Sequence, residues 1–426
     1  MSSRGRRFIG DFPGRAMRAV LLAASALLIL SFASTSHAYP WMIRHGFAKC
    51  ASCHTDPMGG ETLTGFGRAM SDTTLSTRWG KGTDPTNRAE LFFGVEEPRD
   101  LRVGGSLRYM DALYKFPKDG SRAEFSQFPM QMDAYGQVRL FDRLRVSGSL
   151  GAAKVPAGSP HATAAQITKN NAGNQLNLIS HTHWLGYDVS DAVLVRAGRL
   201  NLPFGMRIPE HVMWVRNATR TDRESAQQHG VAVSYSGGRV RGELMAILGN
   251  YQISPDRYRE RGYSLYGEYL LGARTAVGVS SLVTHTEADR LLPDAPANTR
   301  QAHGATARIV PAAPLALLGE VDLLLSSQTH PGFVGMVQAD YEFAQGFHAI
   351  LTGEALEPGS PVDAGSSPLA AGDILDALGL APGRGTKLGG WLTFCWFFFT
   401  HFDARIDLVV RKQSPTTIQS QLHYYF

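Results

Sequence analysis

Cys50, Cys53 and His54 stand together in the run Cys50-Ala51-Ser52-Cys53-His54. Two thiols three residues apart lie on one turn of helix, within reach of the two vinyl groups of a single porphyrin. The adjacent histidine then sits beneath the iron as proximal ligand. C-x-x-C-H is the attachment sequence of c-type haem, and one covalent haem is the expectation. The same thiols could instead close a disulfide or supply half of a zinc site. Zinc needs two further ligands at similar spacing, and no second cysteine pair exists. The third cysteine, Cys395, lies in the apolar run Trp391-Leu392-Thr393-Phe394-Cys395-Trp396 and reads as a small buried hydrophobe.

The second axial ligand is open among Met70, His45 and an unfilled sixth position, and Met70 is the expected one. It lies sixteen residues beyond His54, far enough for the chain to wrap to the other face of the haem. Met58, four residues on, would share the face of His54 on a continuing helix. His45 lies upstream and would have to fold over. A methionine ligand raises the potential relative to two histidines.

Haem attachment needs export, and the N-terminus reads as an export signal. Arg4, Arg6, Arg7, Arg15 and Arg18 precede an apolar stretch over 19–32, followed by the small-x-small site Ser36-His37-Ala38. This is a signal peptide over 1–38, too short to span a bilayer comfortably. Against its five arginines stands one acid, Asp11, so its removal takes the formal charge from +5 to +1. That leaves no electrostatic footprint for nucleic acid.

From residue 101 onward the hydrophobic period is two. Over 144–152, Leu144, Val146, Leu150 and Ala152 share one face, while Arg145, Ser147 and Ser149 take the other. Over 239–249, Val240, Leu244, Ala246 and Leu248 oppose Arg239, Arg241 and Glu243. Over 403–411, Ala404, Ile406, Leu408 and Val410 oppose Asp403, Arg405, Asp407 and Arg411. Segments of about ten residues with one apolar and one charged face suit a membrane barrel with a wet lumen. Sixteen strands are predicted, roughly at 102–115, 129–141, 144–153, 176–188, 192–199, 228–236, 239–249, 261–271, 275–286, 300–309, 315–326, 332–343, 347–357, 385–397, 403–411 and 416–426. Connections from even to odd strands are tight, such as Asp142-Arg143 and Gly237-Gly238. Most odd-to-even ones are long, with short exceptions near 327–331 and 412–415. The expected fold is therefore all-β: a 16-stranded transmembrane antiparallel β-barrel over 101–426, preceded by a small haem-bearing plug over 39–100. An even strand number puts both barrel ends in the periplasm, so the haem segment enters from that side.

The C-terminal run Leu422-His423-Tyr424-Tyr425-Phe426 resembles the terminal strand of bacterial outer-membrane proteins, which the barrel-assembly machinery recognises. The stretch from Arg196 to Gly205 resembles one found in anion-type trimeric porins, which implies outer-membrane lipid as the environment and is compatible with a homotrimer. Arg207, Arg216, Arg220 and Arg223 follow it, with Glu210 and Asp222. They suit either an anion-selecting constriction or a solvated loop with internal ion pairs.

A haem segment followed at once by such a barrel is similar to the fused monohaem cytochrome–porins of bacterial outer membranes, which include ferrous-iron oxidases. Cys50-Ala51-Ser52-Cys53-His54 and Phe66-Gly67-Arg68 carry the likeness. Met58-Gly59-Gly60 and the spacing to Phe66 depart from the iron-oxidase pattern. The resemblance implies that the haem segment plugs the barrel and passes electrons between an extracellular donor or acceptor and periplasmic carriers, a cytochrome among them. Fe(II) oxidation would be the enzymatic form of that role. No nucleophile–base pair is legible in the sequence. Glu243 and Asp407, on lumen faces, could bind Fe(II) or simply solvate the lumen. The competing function is an anion- or solute-conducting porin whose haem segment is a gate or sensor.

Overall fold

The structure, a computed structural model, describes residues 39–77, 98, 100–115, 124–154, 176–210, 212–222, 225–292, 294–360, 362, 385–412, 414 and 416–426. The expected signal peptide, Arg223 and residues 78–97 lie outside the described residues.

Leu101–Lys115 form β1 and Glu124–Leu140 form β2, followed by β3 (Leu144–Lys154). Next come β4 (Leu176–Ile179), β5 (His183–Ser190), β6 (Val193–Leu200), β7 (Gln228–Gly237) and β8 (Val240–Gly249). Then follow β9 (Arg261–Gly272), β10 (Thr275–Thr286), β11 (Asn298–Ala312), β12 (Leu315–Ser326) and β13 (Thr329–Ala344). The last four are β14 (Phe347–Glu357), β15 (Lys387–Phe399), β16 (Phe402–Arg411) and β17 (Thr416–Tyr425). Apart from β4 with β5, each pairs antiparallel with its sequence neighbour. The sheet closes where β1 meets β17, with Ser106 opposite Tyr425 and Leu113 opposite Ile418.

β4 and β5 both pair with β3 and occupy one position in the wall, so the barrel has sixteen strand positions. The sequence reading took 176–188 as one unbroken strand. It is interrupted at residues 180–182, where Thr182 turns its carbonyl onto the backbone N–H of Ser149, 2.8 Å away. Ser149 Oγ in turn accepts from the N–H groups of His181 and Thr182 at 2.9 and 3.0 Å. A side-chain hydroxyl thus satisfies backbone donors that the ladder releases.

The alternation read from sequence has the polarity of a membrane barrel. On β14, His348, Thr352 and Glu354 are buried while Leu351 is 62% exposed. On β16, Asp403 and Asp407 are buried while Ile406 is 55% exposed. Polar side chains facing in and apolar ones facing out form the lipid-facing band of a transmembrane barrel. Closure leaves no unpaired strand edge in that band, which hydrocarbon would not tolerate.

The lumen is filled from both ends. Residues 39–77 form a plug that touches lumen residues around the wall. Arg44 pairs with Asp340 on β13, Arg196 on β6 with Asp56, and Trp184 on β5 donates to Glu61. Its last residue, Thr77, donates its N–H to the Phe397 carbonyl on β15. These tethers gather at the end of the barrel with tight turns: Gln345 donates to the Thr73 and Ser76 carbonyls, and the His401 N–H to Ser71 Oγ. From the end with long loops, residues 201–210 and 212–222 fold inward and place helix α2 (Trp214–Ala218) against β12, β13 and β14. Trp41, Met42 and Leu75 of the plug share one apolar core with Met206, Met213 and Trp214 of that segment. Burying a large apolar side chain contributes about 1.5–3 kcal/mol, so this shared core resists expulsion of the plug.

Candidate functional site

The plug runs as a short helix, a cysteine turn, a hairpin and a second helix. Pro40–His45 form a 3₁₀ helix with Pro40 in the first turn and Gly46 closing it at φ 84°. A left-handed closing residue is the ordinary role of glycine after a helix. Cys50–Ser52 make one turn, in which the N–H groups of Cys53 and His54 both donate to the Cys50 carbonyl, at 3.1 and 3.0 Å. This is the helical turn the spacing of the motif predicts.

His54 then pairs with Leu63 across a hairpin whose tip carries Gly59 and Gly60 at φ 95° and 105°. Thr64 joins the pieces. Its hydroxyl donates to the Ser52 carbonyl at 2.6 Å and accepts from the Gly67 N–H at 3.1 Å, capping helix α1 (Gly65–Met70). An N-cap threonine satisfies a donor that the helix cannot satisfy itself. At Gly67 a Cβ would lie 2.5 Å from the Cys53 carbonyl and 3.0 Å from its sulfur. Only glycine lets α1 lie directly on the cysteine turn.

Cys50, Cys53 and Cys395 are all free thiols. Burial, and then the neighbouring Cys50, push the Cys53 thiol well above its ordinary value, so it stays protonated. Arg241 on β8 donates from Nη1 to Cys50 Sγ at 2.8 Å. The wall thus reaches across the lumen to the first cysteine.

A cavity opens beside the turn. Cys53, His54 and Met70 line it from the plug, with Ser106 and Arg108 of β1, Gln131 of β2 and His423 and Tyr425 of β17 on the wall. A reduced thiol, a histidine and a methionine around one space, with Cys50 one helical turn from Cys53, fit a c-type haem by donor chemistry.

Met70 lines the same cavity as His54. The Met70 sulfur accepts from the Thr74 hydroxyl at 3.3 Å. His45 is absent from the cavity wall and pairs with Glu342 at 2.9 Å. The continuing helix assumed for Met58 does not form: the chain turns there, the Gly59 N–H donating to the Asp56 carbonyl, and Met58 is buried.

In the arginine-rich stretch after Gly205, Arg216 is paired with the wall and Arg220 with the connections next to β9 and β10. Arg216 pairs with Glu320, and Arg220 with Asp289 and Glu260. Glu210 pairs with Arg405 on β16 at 2.6 Å. The lumen acids are engaged too: Glu243 with Arg196, and Asp407 with Arg405. Wall residues of the cavity such as His423 were missed from sequence. The signal was there only as an inward position on the last strand, which the count from Phe426 gives.

No protein-family model matches the chain, and no curated protein matches it in sequence. Solved structures do match. A loop L8 deletion mutant of OmpT, an outer membrane protein of Vibrio cholerae, is 10% identical with a TM-score of 0.52, covering 76% of this chain and 99% of its own. The outer membrane channel DcaP of Acinetobacter baumannii is 12% identical with a TM-score of 0.51, covering 78% and 99%. An anion-selective porin from Comamonas acidovorans is 11% identical with a TM-score of 0.51, covering 76% and 99%. At these identities the likeness is one of architecture, and the chain has the closed sixteen-stranded barrel fold of outer-membrane porins.

Proposed function

We propose that this protein is an outer-membrane electron-transfer barrel. One c-type haem is held covalently by Cys50 and Cys53, with His54 as proximal ligand and a second donor from the cavity wall. Electrons pass between an extracellular donor or acceptor, with Fe(II) as the test donor, and a periplasmic cytochrome or similar carrier. The observation that carries this reading is the coincidence of an intact C-x-x-C-H turn with a cavity that Cys53, His54 and Met70 line together.

Bound haem supplies a one-electron couple whose potential depends on its axial ligands and surroundings. The chain's own residues do the rest. Thr64 and Gly67 fix the turn that presents both thiols and His54. Arg241 orients Cys50. The core of Trp41, Met42, Met213 and Trp214 keeps water out of the lumen beyond the cavity. The exposed apolar band contacts outer-membrane lipid, and Phe426 is the signal for the assembly machinery. The trimer form described for OmpT of Vibrio cholerae makes a homotrimer the assembly to test.

A second reading, an anion- or solute-conducting porin with a gating haem segment, is favoured by the architecture and by the anion-selective porin among the matches. The ion-paired state of Arg216, Arg220 and Arg405 weighs against anion selectivity, because each positive charge already has a carboxylate.

Two measurements decide. Haem staining on a denaturing gel should persist for the wild type and vanish in Cys50→Ala/Cys53→Ala. In liposomes enclosing oxidised cytochrome c, an impermeant external reductant should reduce the interior through wild type and not through His54→Ala protein with an intact barrel. Equal reduction by both sinks the conduit. No reduction together with free ion leakage establishes the porin.

A further inference from the structure

The cavity beside Cys53 and His54 takes part of its wall from β17, and His423 is the residue there with metal-binding chemistry. His423 Nδ1 lies 2.8 Å from Asp403 Oδ2 on β16, and both side chains are buried. A carboxylate only accepts, so Nδ1 carries the proton and donates it. In the neutral ring Nε2 is then the lone-pair nitrogen. Nε2 lies 3.1 Å from Ser106 Oγ, another residue of the cavity wall, whose hydroxyl also lies 3.0 Å from Gln131 Oε1. Metal-ligating histidines are held in this way: one ring nitrogen donates to a carboxylate, which fixes the tautomer and strengthens the other nitrogen as a donor.

We propose that His423 is the second axial donor to the haem held at Cys50, Cys53 and His54, an inference that rests on the haem reading above. The barrel wall, rather than the plug, then completes the coordination. The other candidates lack that carboxylate hydrogen bond inside the cavity. Met70 is a thioether whose sulfur accepts from Thr74, and His45 is tied to Glu342 away from the cavity. His181, also on the wall, has its Nε2 3.6 Å from Asp133 Oδ2, beyond hydrogen-bond distance. The arrangement has a structural consequence. β17 is the strand that closes the barrel against β1, so a plug bound to His423 is clamped to the closure itself.

The test is ferric-state electron paramagnetic resonance and optical spectroscopy of the full-length protein in detergent. Wild type should be low-spin with the signature of two imidazole ligands. His423→Ala should become predominantly high-spin while keeping its covalent stain, and added imidazole should restore the low-spin state. Met70→Ala should leave the spectrum unchanged. Asp403→Asn should stay low-spin with a raised midpoint potential, because the imidazole loses its carboxylate partner. If His423→Ala fails to assemble, His423→Met should remain low-spin with a raised potential, and an unchanged potential overturns the assignment. So does a stained wild type that is already high-spin, or a Met70→Ala variant that loses its low-spin state. A wild type with no stain defeats the haem reading and this assignment together.

Discussion

Arg241 of the barrel wall donates to the sulfur of Cys50 in the plug across 2.8 Å, although 191 residues separate them. The same guanidinium forks onto Glu268, with Nε and Nη2 each 3.0 Å from a carboxylate oxygen. Arg308 also pairs with Glu268, and it donates to the Ala48 carbonyl of the plug at 3.0 Å. One buried carboxylate therefore orients two arginines, and both hold the segment that carries the cysteine turn.

Stranding a buried charge outright costs about 3–5 kcal/mol, but Arg308 still faces Glu268 when Arg241 is gone. Arg241→Ala should therefore lower stability by less than that, measured as the denaturant midpoint of heat-modifiable migration. The double variant Arg241→Ala/Glu268→Ala should cost less than the sum of the single ones, because both remove the same interaction. Additive costs would show that the pair does not act as a unit.

Gly67→Ala places a methyl group 2.5 Å from the Cys53 carbonyl. Overpacking of this kind costs about 1–3 kcal/mol, and here it falls on the plug alone. The variant should fold its barrel normally, as judged by gel migration, yet show faster proteolysis within residues 50–77 and reduced haem staining. Gly65→Ala, where a Cβ meets nothing within 4 Å, is the control and should behave as wild type.

His401 sits in the turn between β15 and β16, outside the strands, and its N–H donates to Ser71 Oγ of the plug. Burial, and then Arg68, push its imidazole down from the ordinary 6.5 to about 4, with Asp72 opposing. Above pH 6.5 the ring is neutral whether the turn is docked or not, and its packing is fully compatible with docking. As pH falls toward 4 the undocked form takes up the proton first, so docking weakens through that window. The hydrogen-exchange protection of residues 71–77, referred to the intrinsic rate at each pH, should fall from pH 7 to pH 4.5. His401→Asn should flatten the response, since asparagine tolerates the φ of 69° found there. Equal pH dependence in both proteins would exclude His401 as the source.

Phe426 donates its N–H to the Gly105 carbonyl and accepts in return, both at 3.1 Å, at the seam between first and last strands. Its ring lies over Gly105, where a Cβ would come within 2.6 Å of it. Deleting Phe426 and introducing Gly105→Val should both impair closure, seen as a smaller folded fraction in the outer-membrane extract. Gly136→Val, at a position with open space, should not.

Much of this protein is legible from local pattern. The cysteine turn, the alternation of every strand and the tight turns depend on residues within a few positions of one another. Leu150, Leu244 and Ile406 face outward as their two-residue period requires, because strand geometry fixes that period whatever the partner strand. The break at residues 180–182 escaped that reading because Ser149, which stabilises it, lies on a neighbouring strand. The surroundings of the cysteine turn escaped it for a stronger reason. Barrel closure brings β17 beside β1 and places His423, hydrogen-bonded to Asp403, on the cavity wall more than 340 residues beyond His54. Which arginine meets which carboxylate is decided by strand register and by the plug entering the lumen. Sequence separation carries no information about either. The sequence alone determined the chemistry the turn can perform and the fold that encloses it; the tertiary structure decided which wall residues face that turn, because closure of the sheet is a relation among all the strands at once.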